Sequence, residues 1–214
     1  MFKAIFWDND GVLVETEHLY AKAIQQVFDR IGFEANAIEV YREETMRHGR
    51  GVFHVVQRVM DLSDEERDGL RRERDEAYRA FFAEGVSLKS GVEDVLKKLK
   101  ASEKYKMGIV TACPRRAFDL IHAKTGVEQY MDFILTRDEF ERSKPSPECY
   151  LKAVELTGFT PESCVAIEDS ERGILAAKSA GITCWGIHSD FPMDMDLGQA
   201  DRVLDDIKST LTLL

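Results

Sequence analysis

Residues 3–17, with the sequence KAIFWDNDGVLVETE, decide the fold class of this chain. The run from Lys3 to Trp7 is short, apolar and aromatic, which is typical of a strand buried inside a sheet. It is followed at once by an acidic turn, in which Asp8 and Asp10 surround an asparagine. Because ligand-binding groups gather at the carboxyl ends of parallel strands, we expect both aspartates to lie at such an edge.

Short apolar strands alternate with amphipathic helices from residue 88 onward. After the first strand, the predicted strands lie at 106–110, 133–135, 164–167, 183–187 and, at an edge, 202–204. Helices are predicted between them, and these begin at or near Ser90, Pro114, Pro147 and Ser170. This alternation predicts an α/β fold, a doubly wound parallel sheet with helices on both faces.

The segment between the first strand and residue 88 has a different pattern. Apolar residues recur at helical spacing from 16 to 86, and no run there predicts a strand. Ser63 and Glu66 form a capping-box signature, and the charge-rich stretch after them predicts a solvated helix face. We therefore expect a core made of residues 1–14 and 88–214, with residues 15–87 inserted as a helical domain.

The composition is that of an ordinary globular protein, with 44% hydrophobic residues and a formal net charge of −10. A net anion is a poor partner for nucleic acid or for an anionic membrane. The four cysteines form no CxxC pair, which predicts reduced thiols in a cytoplasmic protein. No signal peptide and no apolar run near ~18 residues is visible, so we expect a cytoplasmic protein. No heptad run is visible either, and the sequence leaves the oligomeric state open, with a monomer slightly favoured.

Polar side chains follow four of the predicted strands, where a parallel sheet would bring them to one edge. In chain order these side chains are Asp8, Asp10, Thr111, Lys144, Glu168 and Asp169. Converging carboxylates need a compensating partner, and hard oxygen ligands suit Mg²⁺ in a site that also binds phosphate. Lys144 and Thr111, with backbone N–H groups near Ala112, are candidate ligands for phosphoryl oxygens, aided by a helix N-terminus.

The spacing of the first two aspartates permits two chemical roles. Asp8 could attack phosphorus as a nucleophile and form an aspartyl-phosphate. Asp10 could protonate the leaving oxygen and then accept a proton from the hydrolytic water. The pattern therefore favours phosphoryl transfer from a small anionic substrate.

Four short motifs resemble those of the haloacid dehalogenase-like (HAD) superfamily, in order and in spacing. They are Asp8–Glu17, Val110–Thr111, Lys144–Pro145 and Ile167–Ser170 with Gly173. The helical insertion resembles the small cap domain of the subgroup that contains phosphoglycolate phosphatases, sugar-phosphate phosphatases and β-phosphoglucomutase. The resemblance implies a Rossmann-like core and a Mg²⁺-dependent phosphatase that acts on a small phosphorylated metabolite.

The resemblance also implies a role for each residue of the first three motifs. Asp8 would be the nucleophile and a metal ligand. Asp10 would be the general acid and base, with its backbone carbonyl on the metal. Thr111 and Lys144 would bind the phosphoryl group during its transfer.

The fourth motif would complete the metal site. Asp169 would bind Mg²⁺, and Glu168 would support it directly or through water. Three positions depart from the usual family pattern. Glu15 replaces an aspartate, Asn9 replaces an apolar or aromatic residue, and Ser90–Gly91 replaces Pro-Gly.

The helical insertion carries further candidate substrate-binding residues. Arg47, His48 and Arg50 lie in a glycine-flanked basic loop, which could bind a distal anionic group or could be a solvated turn. Tyr20 follows the first motif and is a candidate for the same cleft. Mutases of the subgroup carry a histidine at the position of Tyr20, so a phosphatase is favoured, with a phosphomutase as the alternative.

Three other function classes fit the sequence less well. Dehalogenases of the superfamily lack the second aspartate, which is present here as Asp10. Signalling receiver domains are smaller and have no helical insertion after the first strand. A protein that only binds would be expected to have lost part of the motif set, and here that set is intact.

Overall fold

The strands of the core form one parallel sheet. The computed structural model describes residues 1–82, 85–189 and 195–214, apart from the side chains of Met46 and Arg47. Among these residues, a six-stranded sheet has the order β3-β2-β1-β4-β5-β6, with every neighbouring pair parallel. The strands are β1 Ala4–Trp7, β2 Lys106–Val110, β3 Phe133–Leu135, β4 Cys164–Glu168, β5 Thr183–Ile187 and β6 Arg202–Leu204. The prediction of a doubly wound α/β fold is confirmed.

Helices connect these strands and fill the insertion. They are α1 Glu17–Ile31, α2 Ala37–Val40, α3 Phe53–Met60, α4 Asp64–Phe82, α5 Val92–Ser102, α6 Arg115–His122, α7 Glu148–Thr157, α8 Glu171–Ser179 and α9 Thr210–Leu213. The chain divides into two compact units, one made of residues 1–15 and 86–214 and the other of residues 16–85. Among the described residues, no helix is long and apolar enough to cross a membrane.

The central strand β1 is buried on both faces. Ile5 and Trp7 belong to one hydrophobic cluster, whereas Ala4 and Phe6 belong to the other, and none of the four side chains is exposed. Successive side chains of a strand point to opposite faces, so a sheet covered by helices on both sides needs a continuous apolar run. The residues of β1 satisfy this need, and its carboxyl end opens directly into the acidic turn.

All the regular secondary structure described in residues 16–85 is helical. At the start of α4, the backbone N–H of Ser63 donates to Glu66 Oε2 (2.8 Å) and the N–H of Glu66 donates to Ser63 Oγ (3.3 Å), so the predicted capping box is present. A π-helix, Tyr41–Arg47, stands where the apolar spacing predicts a continuing α-helix. The helical run ends at Arg47, and Gly49 soon after it has a left-handed backbone (φ +66°), which glycine adopts easily.

Candidate active site

The turn after β1 is built to lie close to the turn after β4. The backbone N–H of Asp8 donates to the carbonyl of Ile167 (3.0 Å), which extends the pairing of the two strands by one residue. Gly11 has a φ of +77°, and a Cβ at this position would lie 1.8 Å from Asp169 Oδ2. Only glycine therefore lets the loop that carries Asp8 and Asp10 approach Asp169 this closely.

A buried ammonium group links the ends of three strands. Lys144 Nζ donates to Asp8 Oδ1 (2.6 Å), to Glu168 Oε1 (2.6 Å) and to the carbonyl of Val110 (2.9 Å). The three donors of this ammonium group thus have three acceptors, which is the condition for burying such a charge. Lys144 is 6% exposed and Glu168 is not exposed at all, so water does not screen this pair.

Glu168 is held by groups from two helices. Tyr150 of α7 donates its hydroxyl to Glu168 Oε1 (2.6 Å), and Ser170 Oγ donates to Oε2 (3.3 Å). Gly173 of α8 gives room for the carboxylate, since a Cβ there would lie 2.0 Å from Glu168 Oε2. Tyr150 is not predictable as a site residue from the sequence, because nothing in the pattern of α7 distinguishes its buried hydroxyl from that of any other core tyrosine.

Burial and charge act in opposite directions on the two partners of the central ion pair. Burial raises the pKa of the Asp8 carboxyl to about 7, and the ammonium of Lys144 limits that rise. Burial also lowers the pKa of Lys144, but the carboxylates of Asp8 and Glu168 more than offset this effect, so its net shift is upward. The lysine is therefore charged throughout the physiological range.

Three buried carboxylates converge where the sequence predicts a metal. Asp8, Glu168 and Asp169 each offer an oxygen atom, and these three atoms lie within 4.8 Å of one another. Together with the ammonium of Lys144 they leave a surplus of negative charge in a buried place. A divalent cation would balance it, and an all-oxygen donor set suits Mg²⁺. These residues therefore fit the predicted metal.

Thr111 and Asp10 also lie at this edge of the sheet. Thr111 follows β2 and is buried, and its Oγ1 accepts a hydrogen bond from the backbone N–H of Cys113 (3.0 Å). Ala112 between them is exposed. Asp10 is half-buried, and Asn9 Nδ2 donates to its Oδ2 over 3.4 Å. The parallel sheet thus brings the predicted core residues to its carboxyl edge.

Tyr20 belongs to the helical unit of residues 16–85. Its hydroxyl accepts a hydrogen bond from the guanidinium of Arg74, which also lies over the Tyr20 ring at 4.5 Å from the ring centroid. Arg74 is itself buried and pairs with Asp75 (2.7 Å). The hydroxyl of Tyr20 is therefore engaged within its own unit.

The basic loop of the same unit is also engaged locally. The guanidinium of Arg50 donates to both carboxylate oxygens of Glu44, at 2.8 and 3.2 Å. His48 Nδ1 lies 2.6 Å from a backbone carbonyl in the preceding turn. The side chain of Arg47 lies outside the described residues. The charge of Arg50 is thus compensated by a partner six residues away in the chain.

Two curated relatives have names that state their substrates. The chain is 31% identical over 185 residues to the phosphorylated carbohydrates phosphatase of Thermotoga maritima, covering 84% of this chain and 82% of that protein. It is 26% identical over 185 residues to the fructose-1-phosphate phosphatase YqaB of Escherichia coli, covering 85% of this chain and 94% of that protein.

A solved structure resembles the whole chain. It is CbbY of Rhodobacter sphaeroides in complex with xylulose 1,5-bisphosphate, with a TM-score of 0.76, 25% identity, and coverage of 96% of this chain and 95% of that one. The sequence model of the haloacid dehalogenase-like hydrolases matches residues 2–181, a range that includes all four motifs and the carboxylate cluster at the sheet edge. With its sheet order, its carboxyl-edge cluster and this match, the chain belongs to the haloacid dehalogenase-like hydrolase family.

Proposed function

We propose that this chain is a Mg²⁺-dependent phosphatase that hydrolyses the monoester of a small phosphorylated metabolite, of the sugar-phosphate or phosphoglycolate kind. The observation that carries the proposal is the buried group in which Lys144 joins Asp8 to Glu168 beside Asp169. The names of the Thermotoga and Escherichia relatives support a phosphorylated sugar as substrate.

The first chemical step would form an aspartyl-phosphate. A carboxylate oxygen of Asp8 attacks phosphorus, the bond between phosphorus and the ester oxygen breaks, and that oxygen takes a proton from Asp10. The ammonium of Lys144 favours the ionised form of Asp8 against the effect of burial. When bound, Mg²⁺ supplies positive charge to the phosphoryl oxygens and to the carboxylates.

The second step would return the enzyme to its starting state. Asp10 accepts a proton from a water molecule, whose oxygen attacks phosphorus and breaks the bond between phosphorus and Asp8. Inorganic phosphate leaves, and the carboxylate of Asp8 is free again. Thr111 Oγ1 and the backbone N–H of Ala112 would hold phosphoryl oxygens in both steps.

The carboxylates divide into two groups in this proposal. Asp8 and Asp169 would hold the metal, together with the backbone carbonyl of Asp10. Glu168 anchors Lys144, because one of its oxygens already accepts from both Lys144 and Tyr150. This assigns Glu168 to the support of the site rather than to the first ring of metal ligands.

The helical unit of residues 16–85 would act as the cap that selects the substrate. Its basic loop, with Arg47, His48 and Arg50, would bind a distal anionic or hydroxyl group of the substrate, and Tyr20 would line the same cleft. Arg50 could do so only by exchanging its partner Glu44 for the substrate. Replacement of Arg47 and Arg50 together should raise KM for the true substrate more than for an aryl phosphate.

The decisive experiment is phosphate release from a panel of phosphoglycolate, hexose and pentose phosphates, β-glucose 1-phosphate and 4-nitrophenyl phosphate. Each is assayed with Mg²⁺, with a chelator and with the variant Asp8→Asn. Asp119→Asn, which alters an exposed aspartate, is the matched control. We expect release that needs the metal, is lost in Asp8→Asn and persists in Asp119→Asn.

Two results would contradict the proposal. Undiminished phosphate release by Asp8→Asn would show that Asp8 is not the nucleophile. Conversion of β-glucose 1-phosphate to glucose 6-phosphate after addition of a bisphosphate primer, without phosphate release from any ester, would identify a phosphomutase instead.

A further inference from the structure

A chain of hydrogen bonds leads from the end of α6 to Asp10. Thr125 Oγ1 lies 2.8 Å from His122 Nδ1, and His122 Nε2 lies 2.7 Å from Asn9 Oδ1. The amide of Asn9 then donates from Nδ2 to Asp10 Oδ2 over 3.4 Å. All four residues belong to the unit of residues 1–15 and 86–214.

The donor and the acceptor of each hydrogen bond in this series can be assigned. Asn9 Oδ1 can only accept, so the proton of the bond to His122 lies on Nε2. Burial lowers the pKa of His122 to about 4, so the ring is neutral and Nδ1 accepts from the hydroxyl of Thr125. Every donor therefore points toward Asp10, and hydrogen bonds aligned in this way polarise one another.

Burial of the Asn9 side chain has a cost in folding free energy, which suggests that its position serves a purpose. Its side chain has no exposed surface, and a buried amide destabilises a protein unless its polar atoms are bonded. An apolar residue would fill this position without that requirement. The ring of His122 is fixed in turn by the ring of Phe118, with 4.4 Å between the centroids. Phe118 thus fixes the His122 ring, and the ring binds Oδ1 of the Asn9 amide. Nδ2 of the same amide is then directed toward Asp10.

We propose that Asn9 is a positioning residue that orients the carboxyl group of Asp10 for proton transfer, and that His122 fixes the orientation of Asn9. The inference rests on the proposed role of Asp10 as the general acid. The last bond of the chain is long, so its effect is on the orientation of the carboxyl group rather than on its charge.

A general acid matters most when the leaving oxygen is basic, which provides a selective test. Phenyl phosphate and 4-nitrophenyl phosphate have nearly the same shape, but the phenol oxygen needs a proton to leave and the nitrophenol oxygen does not. The parameter to compare is kcat/KM, because it includes only the steps up to the formation of the aspartyl-phosphate.

The variants are Asn9→Leu, which removes both bonds of the amide, and His122→Phe, which removes only the support of Asn9. General acids contribute about a hundredfold or more, and we expect Asn9→Leu to lose about tenfold more kcat/KM on phenyl phosphate than on 4-nitrophenyl phosphate. His122→Phe should shift the ratio in the same direction. His122→Gln, whose amide can still donate to Asn9 Oδ1, should keep the wild-type ratio.

A matched control separates orientation from general destabilisation. Ile121 is buried in α6 beside His122 and takes no part in the series of hydrogen bonds. Ile121→Ala should therefore lower stability without changing the ratio of kcat/KM values for the two esters. Melting temperatures of all variants are measured in parallel. If Asn9→Leu does not fold, the ratio for His122→Phe against His122→Gln decides the question.

The inference and the proposed function fail in different ways. Equal losses on both esters in Asn9→Leu and His122→Phe, with a strong preference for 4-nitrophenyl phosphate in Asp10→Asn, would overturn the positioning role and keep Asp10 as the acid. Equal losses of kcat/KM on both esters in Asp10→Asn itself would show that Asp10 is not the general acid, and the inference would then lose its basis.

Discussion

Nζ of Lys144 lies 2.6 Å from Oε1 of Glu168, a carboxylate whose side chain has no exposed surface. The bond ties the segment before α7 to the end of β4 and brings the ammonium to Asp8, the proposed nucleophile, also at 2.6 Å. In a buried ion pair, the cost of removing one partner exceeds the net gain from having both, because the other charge is left uncompensated. The stability of this edge of the sheet therefore depends on the same contacts as its chemistry.

Replacement of Lys144 should destabilise the protein strongly. Lys144→Met leaves Asp8 and Glu168 buried without their cation, and we expect a loss of about 3–5 kcal/mol in the free energy of unfolding in urea. Addition of Mg²⁺ should restore part of this loss. Lys152→Met, which removes an exposed partner of Glu148, should cost less than about 1 kcal/mol. Equal effects of the two substitutions would contradict the buried pair.

The hydroxyl of Tyr150 should matter more than that of another bonded tyrosine. Tyr150→Phe removes a bond to the charged Glu168, so we expect a loss of about 1.5–3 kcal/mol in urea unfolding and a lower kcat. Tyr105 donates to a main-chain oxygen of Leu214 at 2.6 Å, away from the sheet edge that carries Asp8, and Tyr105→Phe should leave kcat unchanged. A kcat for Tyr150→Phe equal to that of the wild type would show that Glu168 needs no support.

Replacement by alanine should change the free energy of unfolding in opposite directions at two helical glycines. Alanine stabilises the interior of a helix by about 1 kcal/mol relative to glycine, and Gly69→Ala in α4 should show this gain, since its Cβ would meet nothing closer than 3.8 Å. Gly173→Ala in α8 would place a Cβ 2.0 Å from Glu168 Oε2, so we expect a net loss of about 2 kcal/mol. Thermal or urea unfolding measures both, and a stabilised Gly173→Ala variant would refute the close packing around Glu168.

The sheet could be predicted from the sequence because its signals are local. Each central strand is a short continuous apolar run, and the residue that follows β1, Asp8, is placed at the carboxyl edge by the chain itself. The contacts that support the site are not local. Asn9 and His122 are 113 positions apart, and Tyr150 and Glu168 are 18 apart, so only the packing of helices on the sheet pairs them. The π-helix likewise has no signature in the spacing of apolar residues, which is helical in either case.

The buried ring of His122 should make stability depend on pH. Burial lowers the pKa of His122 from 6.5 to about 4 in the folded state, whereas the unfolded chain binds the proton near pH 6.5. As pH falls through this window, the unfolded state gains protons that the folded state does not, so folding is weakened. Between about pH 7 and pH 5, this group alone should lower the free energy of unfolding by about 2 kcal/mol.

The variant His122→Gln isolates this effect. Glutamine keeps a donor for Asn9 but does not titrate, while the carboxyl groups of the protein titrate equally in both chains. Urea unfolding of the two proteins at both pH values therefore gives the contribution of His122 as the difference between their pH dependences. We expect His122→Gln to lose less stability than the wild type on acidification, because it lacks the group that must stay neutral when buried. The same pH dependence in both proteins would show that His122 is protonated in place as readily as in the unfolded chain, and its Nδ1 would then donate to Thr125 instead of accepting from it.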